Sequence, residues 1–316
     1  MPKFFIAAIA VYFAFSTTSY ALDCTEELRE KICFGNTAYC TAPASPKTQN
    51  MIVEIAEESS PLAQKLFCDI YHIRIVKNIR GTQIGDYKNI GELGVVRIVA
   101  DHYSRYFEDL SSKFGKYSIG DGQLTIIDAS GAPRRLDDKS TEKALLRNLL
   151  LHELAHHFEF KFLGDHAYQC SKANYIVPPK RVRKLIDQIR HKVEWTDWIE
   201  EDFRAFYAYL LQTDKPTLYG TTNLAEDFAE LFEYFHFIHY YGENEILRHK
   251  DGSLAVDFAE RFKAPIMQNK VRLMEVLMAH PDFDSEDAKQ WRRDFERCEG
   301  VFSAENLSPQ NVASNR

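Results

Sequence analysis

Two histidines four positions apart, with a glutamate directly after the first, give this sequence its clearest chemical signature. His152, Glu153 and His156 form the pattern H-E-x-x-H, inside a run at residues 141–162 whose composition favours an α-helix. Because positions four apart share one helix face, both imidazoles can bind the same zinc ion. Glu153 is turned away from that ligand pair, so its carboxylate can act as general base toward a zinc-activated water. The motif predicts a hydrolytic zinc site.

A catalytic zinc ion needs a third protein ligand, with the fourth position open to water. The version of the motif with a third histidine continues to x-x-G-x-x-H, but Glu159 and Phe162 stand at those two positions. The third ligand is therefore expected from a later segment. His157 points about 100° away from His156 on a helix and is expected to be a packing or surface residue. His236 and His239 lie too far along their own predicted helix to reach the same ion.

Residues 218–230 contain the best source of a third ligand. Asn223 and Glu226 match a capping-box pattern at a helix start, which would give Glu226 a purely structural role. That interpretation does not account for Glu230, one turn further on the same face. As a metal-site pair, Glu226 would bind the ion and Glu230 would accept a hydrogen bond from a ligand histidine. The residues alone leave both interpretations open.

These two segments carry a family resemblance. H-E-x-x-H, followed by Y-G-x-T-N-x-A-E-x-F-A-E from Tyr219 to Glu230, resembles the catalytic domain of anthrax toxin lethal factor and its relatives, within the gluzincin zinc metallopeptidases. The resemblance implies that Glu226 completes the zinc site and that Tyr219 stabilises the tetrahedral intermediate. It does not extend to residues 22–67 or beyond about residue 240. Ala155 and Asp227 depart from the family, which favours Gly and Phe at these positions.

The order of elements predicts an α+β fold. Short strands are expected at 71–79, 94–99 and 123–128, after a helical pattern at 51–67. Helices are then expected to fill the chain, at 141–162, 180–192, 194–211, 224–241, 254–262, 266–279 and 286–298. The resemblance implies a zincin-like domain with a small mixed sheet followed by a mostly helical C-terminal part. The strand before the H-E-x-x-H helix is expected to be the edge strand to which an extended substrate pairs.

The N-terminus and the cysteines predict an exported protein. Residues 1–21 read as a signal peptide, with Lys3, a 12-residue apolar stretch and a cleavage site after Ala21. Six cysteines then favour disulfides in an oxidising compartment, periplasmic or extracellular. Cys24, Cys33, Cys40 and Cys68 are expected to pair among themselves, leaving Cys170 for Cys298. The expected organisation is a cysteine-containing cap at 22–67, a catalytic domain at 68–300 and a flexible tail at 301–316.

Charge narrows the expected partners. The formal net charge of −7 argues against nucleic-acid binding, which needs clustered cations, and no segment after the signal peptide is apolar enough for stable membrane insertion. The expected cofactor is one zinc ion per chain. The expected partner of the protein is a peptide or protein substrate. Two alternatives stay open: a secreted non-catalytic binding protein on a zincin fold, and a hydrolase of peptidoglycan cross-links. An intact Glu153 favours an enzyme, because binding alone needs no base.

Overall fold

The computed structural model describes residues 24–35, 39–77, 85–90, 93–99, 123–133, 139–163, 177–190 and 199–279. Within these residues the fold is α+β, as predicted. The helices are α1 (Thr25–Lys31), α2 (Pro46–Glu57), α3 (Pro61–Asp69), α4 (Lys139–Phe158), α5 (Lys180–Arg190), α6 (Glu200–Leu210), α7 (Leu224–Phe235), α8 (Phe258–Lys263) and α9 (Gln268–Ala279). The strands are β1 (Ile32–Gly35), β2 (Cys40–Pro43), β3 (His72–Val76), β4 (Gly85–Ile90), β5 (Leu93–Val99), β6 (Gln123–Ile127), β7 (Asn244–Arg248) and β8 (Leu254–Asp257).

The larger sheet has the strand order β2-β1-β3-β5-β4. Strands β1, β3 and β5 are parallel, whereas β2 and β4 run antiparallel to their single neighbours among the described strands. The predicted strands at 71–79 and 94–99 are confirmed as β3 and β5. Their alternating apolar side chains, such as Ile73 and Val96, are fully buried in the main core. Strand β4 forms the edge of this sheet, with Tyr87 opposite Val96.

The expected edge strand is a different one from that seen in the structure. Residues 123–127 do form strand β6, but β6 pairs with β7 in a separate three-stranded sheet of order β6-β7-β8. The edge strand that packs against α4 is β4. The sequence does not predict this strand, because glycine is typical of turns, whereas Gly85 begins β4. At Gly85 the strand passes close to α4, and the pattern of neighbouring residues in the sequence does not indicate this contact.

The prediction of almost continuous helix after residue 140 is also wrong. Strands β7 and β8 form a hairpin between α7 and α8. The predicted helix at 254–262 is divided: residues 254–257 form β8, and α8 begins only after Asp257, whose side chain accepts a hydrogen bond from the Glu260 amide. The predicted helices at 180–192, 194–211, 224–241 and 266–279 are confirmed with shorter bounds. The one at 286–298 lies outside the described residues.

The cysteine-containing segment shares one core with the H-E-x-x-H helix. Leu28, Phe67, Leu154 and Phe228, from α1, α3, α4 and α7, belong to the same cluster of buried residues. The predicted single helix at 51–67 is two helices, because Ser60 caps α3 and Pro61 starts it. The predicted boundary between residues 67 and 68 falls inside α3. The division into cap and catalytic domain stays a prediction.

Two disulfides fix the first part of the chain. Cys24 is bonded to Cys68 and Cys33 to Cys40, so the four cysteines pair among themselves as predicted. Disulfides of this kind are typical of an oxidising, exported environment. The expected Cys170–Cys298 pair, the signal peptide and the polar tail lie outside the described residues. None of the helices in the described part of the chain has the length and hydrophobicity of a membrane-spanning segment.

Candidate metal centre

Helix α4 places the H-E-x-x-H residues at the boundary between core and site. Leu150, Leu154 and Phe158 are fully buried on its inner side, so the helix cannot rotate without exposing them. His152 and His156 lie one turn apart and their ring centroids are 5.0 Å apart. The helix continues into a π-helical turn at Glu159–Leu163. Packing of the leucines therefore fixes the direction in which both imidazoles project.

Helix α7 carries the second part of the site. Its N-cap is Asn223, whose Oδ1 accepts a hydrogen bond from the Glu226 amide at 3.0 Å. The rings of Phe228 and Phe232 pack on Phe158 of α4, with centroids 6.1 and 6.2 Å apart. The capping interpretation is thus correct for Asn223, but it leaves the Glu226 side chain free to point at α4.

Two imidazole nitrogens and one carboxylate oxygen converge between α4 and α7. Glu226 Oε2 lies 3.1 Å from His152 Nε2 and 3.3 Å from His156 Nε2. The three residues therefore form a group able to hold a metal ion. Protons on the imidazoles stabilise these contacts in the absence of a metal ion, and a cation that displaced those protons would be held by the same three atoms. Two imidazoles and one carboxylate are a donor set that zinc accepts.

The second nitrogen of His152 faces two more carboxylates. Nδ1 lies 3.1 Å from Glu230 Oε1 and 3.3 Å from Glu233 Oε2. Glu230 also accepts a hydrogen bond from the Thr217 hydroxyl. A carboxylate on Nδ1 keeps a hydrogen on that nitrogen, which leaves Nε2 as the nitrogen that could bind a metal ion. The predicted placement of Glu230 beside a ligand histidine is found.

Glu233 was not singled out in the sequence. Residues 226, 230 and 233 follow the i, i+4, i+7 spacing of one helix face, and that spacing could have identified it. Burial raises the pKa of Glu233 above the usual glutamate range, although its contact with His152 opposes this shift. The same three residues, His152, Glu230 and Glu233, form a second group with metal-ligand spacing. We assign them to orientation of the His152 ring, because Nδ1 then keeps its proton.

The surroundings of Glu226 and Glu153 shift the pKa values of these two carboxyl groups in opposite directions. Burial alone would raise the pKa of Glu226, but hydrogen bonds with His152 and His156 outweigh it and hold this pKa well below the usual range. Burial raises the pKa of Glu153 to about 7, against the opposing charges of the two histidines. A pKa near neutrality suits a group that must accept and return a proton. Glu226 is thus ionised near neutral pH, whereas Glu153 can hold or release a proton there.

Tyr219 lies in a short 3₁₀ turn (Tyr219–Thr221) directly before α7. Its hydroxyl donates to Glu226 Oε1 at 3.2 Å, and its ring centroid lies 6.0 Å from that of His152. Burial, followed by the charge of Glu226, raises the pKa of Tyr219, so the phenol stays protonated and can donate a hydrogen bond. The structure brings Tyr219 to the site as predicted.

Strand β4 borders the site at Glu153. A Cβ atom at Gly85 would lie 2.7 Å from Leu149 Cδ1 and 3.1 Å from Glu153 Oε1. A larger residue at position 85 would require the Leu149 side chain to move, so glycine favours the close approach of β4 to α4. The next residue, Asp86, forms a two-point ion pair with Arg97 of β5. The site is thus bounded by α4, α7, the turn that carries Tyr219, and the edge strand β4.

The two departures from the lethal factor pattern are both buried. Ala155 is fully buried in the main core. Asp227 is also fully buried, and its carboxylate pairs with Lys270 at 2.8 Å and with Lys215. Asp227 thus joins the start of α7 to α9 and to the loop before Tyr219. An apolar ring at this position would leave two lysines without that carboxylate.

The three other histidines discussed above, His157, His236 and His239, pack outside the site. His157 is 1% exposed and contacts Asp69 and Tyr87, which agrees with its predicted packing role. His236 is fully buried between Ser60 and the Phe232 carbonyl. His239 stacks on Phe235, with ring centroids 4.7 Å apart. None of the three belongs to a metal-ligand group within the described residues.

Comparison of the chain with protein-family models gives no match, and comparisons with curated proteins and with solved structures give no significant match.

Proposed function

We propose that this chain is an exported zinc-dependent endopeptidase of gluzincin type, acting in the periplasm or outside the cell. The observation that supports this most directly is the convergence of His152 Nε2, His156 Nε2 and Glu226 Oε2, with the buried carboxylate of Glu153 one residue after the first ligand. The resemblance of both segments to lethal factor adds the expectation that the fold is zincin-like. Neither alternative, a non-catalytic binder or a peptidoglycan hydrolase, has a specific structural feature in its favour.

Each residue has a defined chemical task in this proposal. A bound zinc ion polarises the scissile carbonyl and lowers the pKa of the attacking water. Glu153 accepts the proton of that water and delivers it to the leaving amine. Tyr219 donates a hydrogen bond to the oxyanion that develops on the carbonyl oxygen. Glu230 and Glu233 hold the His152 ring in the tautomer that binds metal through Nε2.

The substrate is proposed to be an extended peptide. Strand β4 has one partner among the described strands, so backbone groups on its outer side are available to a peptide strand. The glycine at position 85 brings this strand directly beside the Glu153 carboxylate. A peptide paired with β4 would therefore pass its backbone across the residues that carry the chemistry.

The decisive experiment combines metal analysis with a peptide-library digest. The purified chain should contain close to one zinc ion, and a chelator should abolish cleavage until zinc is returned. Glu153→Gln should keep the zinc and lose turnover by several orders of magnitude. Glu201→Gln, an exposed carboxylate on α6, serves as the matched control and should keep both. Full turnover in Glu153→Gln, or no zinc in the wild type, would refute the proposed function.

A further inference from the structure

His157, which follows the second ligand histidine directly, is the centre of a chain of hydrogen bonds. Its Nε2 lies 2.7 Å from Asp69 Oδ2 at the end of α3, and its Nδ1 lies 3.1 Å from the hydroxyl of Tyr87 on β4. Lys161 holds the same Asp69 carboxylate, with 2.6 Å to each oxygen. Three elements, α3, α4 and β4, therefore meet at one imidazole.

The direction of these hydrogen bonds follows from chemistry. Asp69 faces a lysine and a histidine, which together outweigh burial and lower its pKa, so the carboxylate is ionised and can only accept. His157 Nε2 must then carry the hydrogen. In the neutral imidazole Nδ1 has the lone pair, and the Tyr87 hydroxyl donates to it. The hydrogen bonds thus run from the Tyr87 hydroxyl to His157 and from His157 to the Asp69 carboxylate, and each donor has one acceptor.

The backbone around this imidazole leaves it little freedom. A Cβ atom at Gly94 of β5 would lie 2.3 Å from His157 Nδ1 and 3.0 Å from the Tyr87 hydroxyl. The ring is almost completely buried. The ring thus fills the space that a side chain on Gly94 would occupy, and its burial restricts the positions open to the Tyr87 hydroxyl that contacts it.

Tyr87 and Gly85 lie two residues apart on β4, on the same face of the strand. Tyr87 contacts α4 at His157, and Gly85 contacts it at Leu149 and Glu153. Strand β4 thus touches α4 at both ends of the H-E-x-x-H motif. Of these contacts, the one made by Tyr87 is a directed hydrogen bond, whereas the contact at Gly85 is only close packing.

We propose that Tyr87, His157 and Asp69 are positioning residues that set the separation between β4 and α4, and hence the width of the groove in which a peptide would bind. The proposal rests on the proposed function for its substrate, but the positioning itself concerns this chain alone. Loss of the Tyr87 hydroxyl should loosen β4 without removing a metal ligand, the base or the oxyanion donor.

Hydrogen exchange of the full chain tests the positioning directly. Tyr87→Phe should speed exchange of the β4 backbone amides about three- to tenfold, the effect of one net hydrogen bond, with unchanged zinc content. Tyr240→Phe is the matched control, because its hydroxyl bonds to the Ser59 carbonyl and to neither β4 nor α4. It should leave β4 unchanged. Wild-type exchange rates of β4 in Tyr87→Phe would overturn the proposal, as would equal acceleration in the control.

Kinetics test the consequence for substrate. For a peptide long enough to pair with β4, Tyr87→Phe should raise KM about three- to tenfold and change kcat by less than twofold. A short substrate that cannot pair with β4 should show no change in KM. An equal loss for both substrates would overturn the role in groove width. If the wild type cleaves no peptide, the proposed function has failed, and the exchange result still decides the positioning.

Discussion

Glu230 Oε1 lies 3.1 Å from His152 Nδ1. The opposite nitrogen of the same ring lies 3.1 Å from Glu226 Oε2, so two carboxylates one helical turn apart hold one imidazole from both sides. Burial alone would lower the pKa of His152, but its hydrogen bonds with Glu226, Glu230 and Glu233 outweigh burial and raise this pKa. If Nε2 gave up its hydrogen to a metal ion, Glu230 could still hold the hydrogen on Nδ1.

Removal of Glu230 should therefore weaken metal binding rather than chemistry. Glu230→Ala should lower zinc affinity about 10- to 100-fold, because His152 loses the acceptor that fixes its tautomer. Glu230→Gln should have a smaller effect, since its amide oxygen can still accept. Competition with a chromophoric chelator measures the affinity. The matched control is Glu201→Ala, at an exposed carboxylate on α6, which should keep the zinc affinity of the wild type. A larger loss in Glu233→Ala than in Glu230→Ala would assign the main orienting role to Glu233 instead.

Tyr219→Phe should reduce kcat about 100- to 1,000-fold with KM and zinc content nearly unchanged. The hydroxyl is expected to act on the oxyanion, which exists only in the transition state, so its loss does not alter ground-state binding. Steady-state kinetics on a peptide found in the library digest provide the test. A rise in KM with kcat retained would show that Tyr219 binds substrate rather than the transition state.

Asp227→Ala should destabilise the protein by about 3–5 kcal/mol, because it removes the carboxylate 2.8 Å from the buried Lys270 ammonium and keeps the more distant Asp214, at 3.6 Å. Replacing both partners, in Asp227→Leu with Lys270→Met, should recover part of this loss because the buried ammonium is removed as well. The free energy of unfolding from urea titrations measures both. The effects of the two substitutions could instead simply add, so that the double variant is less stable than Asp227→Ala by the full loss measured for Lys270→Met alone. In that case the ion pair is not the source of the lost stability.

The two disulfides should differ in their contribution to stability. They close loops with sequence separations of 44 and 7 residues. Chain entropy then predicts a loss of roughly 4 kcal/mol for Cys24→Ser with Cys68→Ser, and roughly 2 kcal/mol for Cys33→Ser with Cys40→Ser. Unfolding of the two double variants in urea compares them. An equal loss, or a larger one for the short loop, would contradict the entropic account.

Stability should fall with decreasing pH partly through His236. Burial lowers the pKa of His236 to about 4, from 6.5 in the unfolded chain. Between these values the unfolded chain binds the proton and the folded chain does not, so the free energy of unfolding decreases as pH falls from about 6.5 to about 4. The full effect is roughly 3 kcal/mol. His236→Gln lacks this titration.

Urea unfolding of wild type and His236→Gln at pH 7.5 and at pH 4 isolates this contribution from the carboxylates, which both proteins share. The stability advantage of the wild type at pH 7.5 should shrink at pH 4. A difference that stays constant across this range would show that His236 does not change its protonation on unfolding.

Part of the fold and of the site could be predicted from local patterns. Helix spacing placed His152 and His156 on one face, and the family resemblance selected Glu226 and Tyr219, which the structure brings to the same place. Apolar alternation found β3 and β5. These features depend on residues within a few turns or a single strand, where side-chain periodicity reports burial directly.

The sequence by itself determined which chemical groups this protein can bring together: two imidazoles and a carboxylate on one helix, carboxylates on another, and cysteines that pair in its first part. The tertiary structure alone decided which strand borders the site. Gly85 and Gly94 have no local pattern that marks them, because each is required by the approach of another element, α4 in one case and the His157 ring in the other. Likewise, Asp69 and Asp227 acquire their roles only through partners distant in the chain. The close contacts at these glycines and the buried ion pairs depend on how distant segments pack together. The spacing of residues along the sequence therefore cannot predict them.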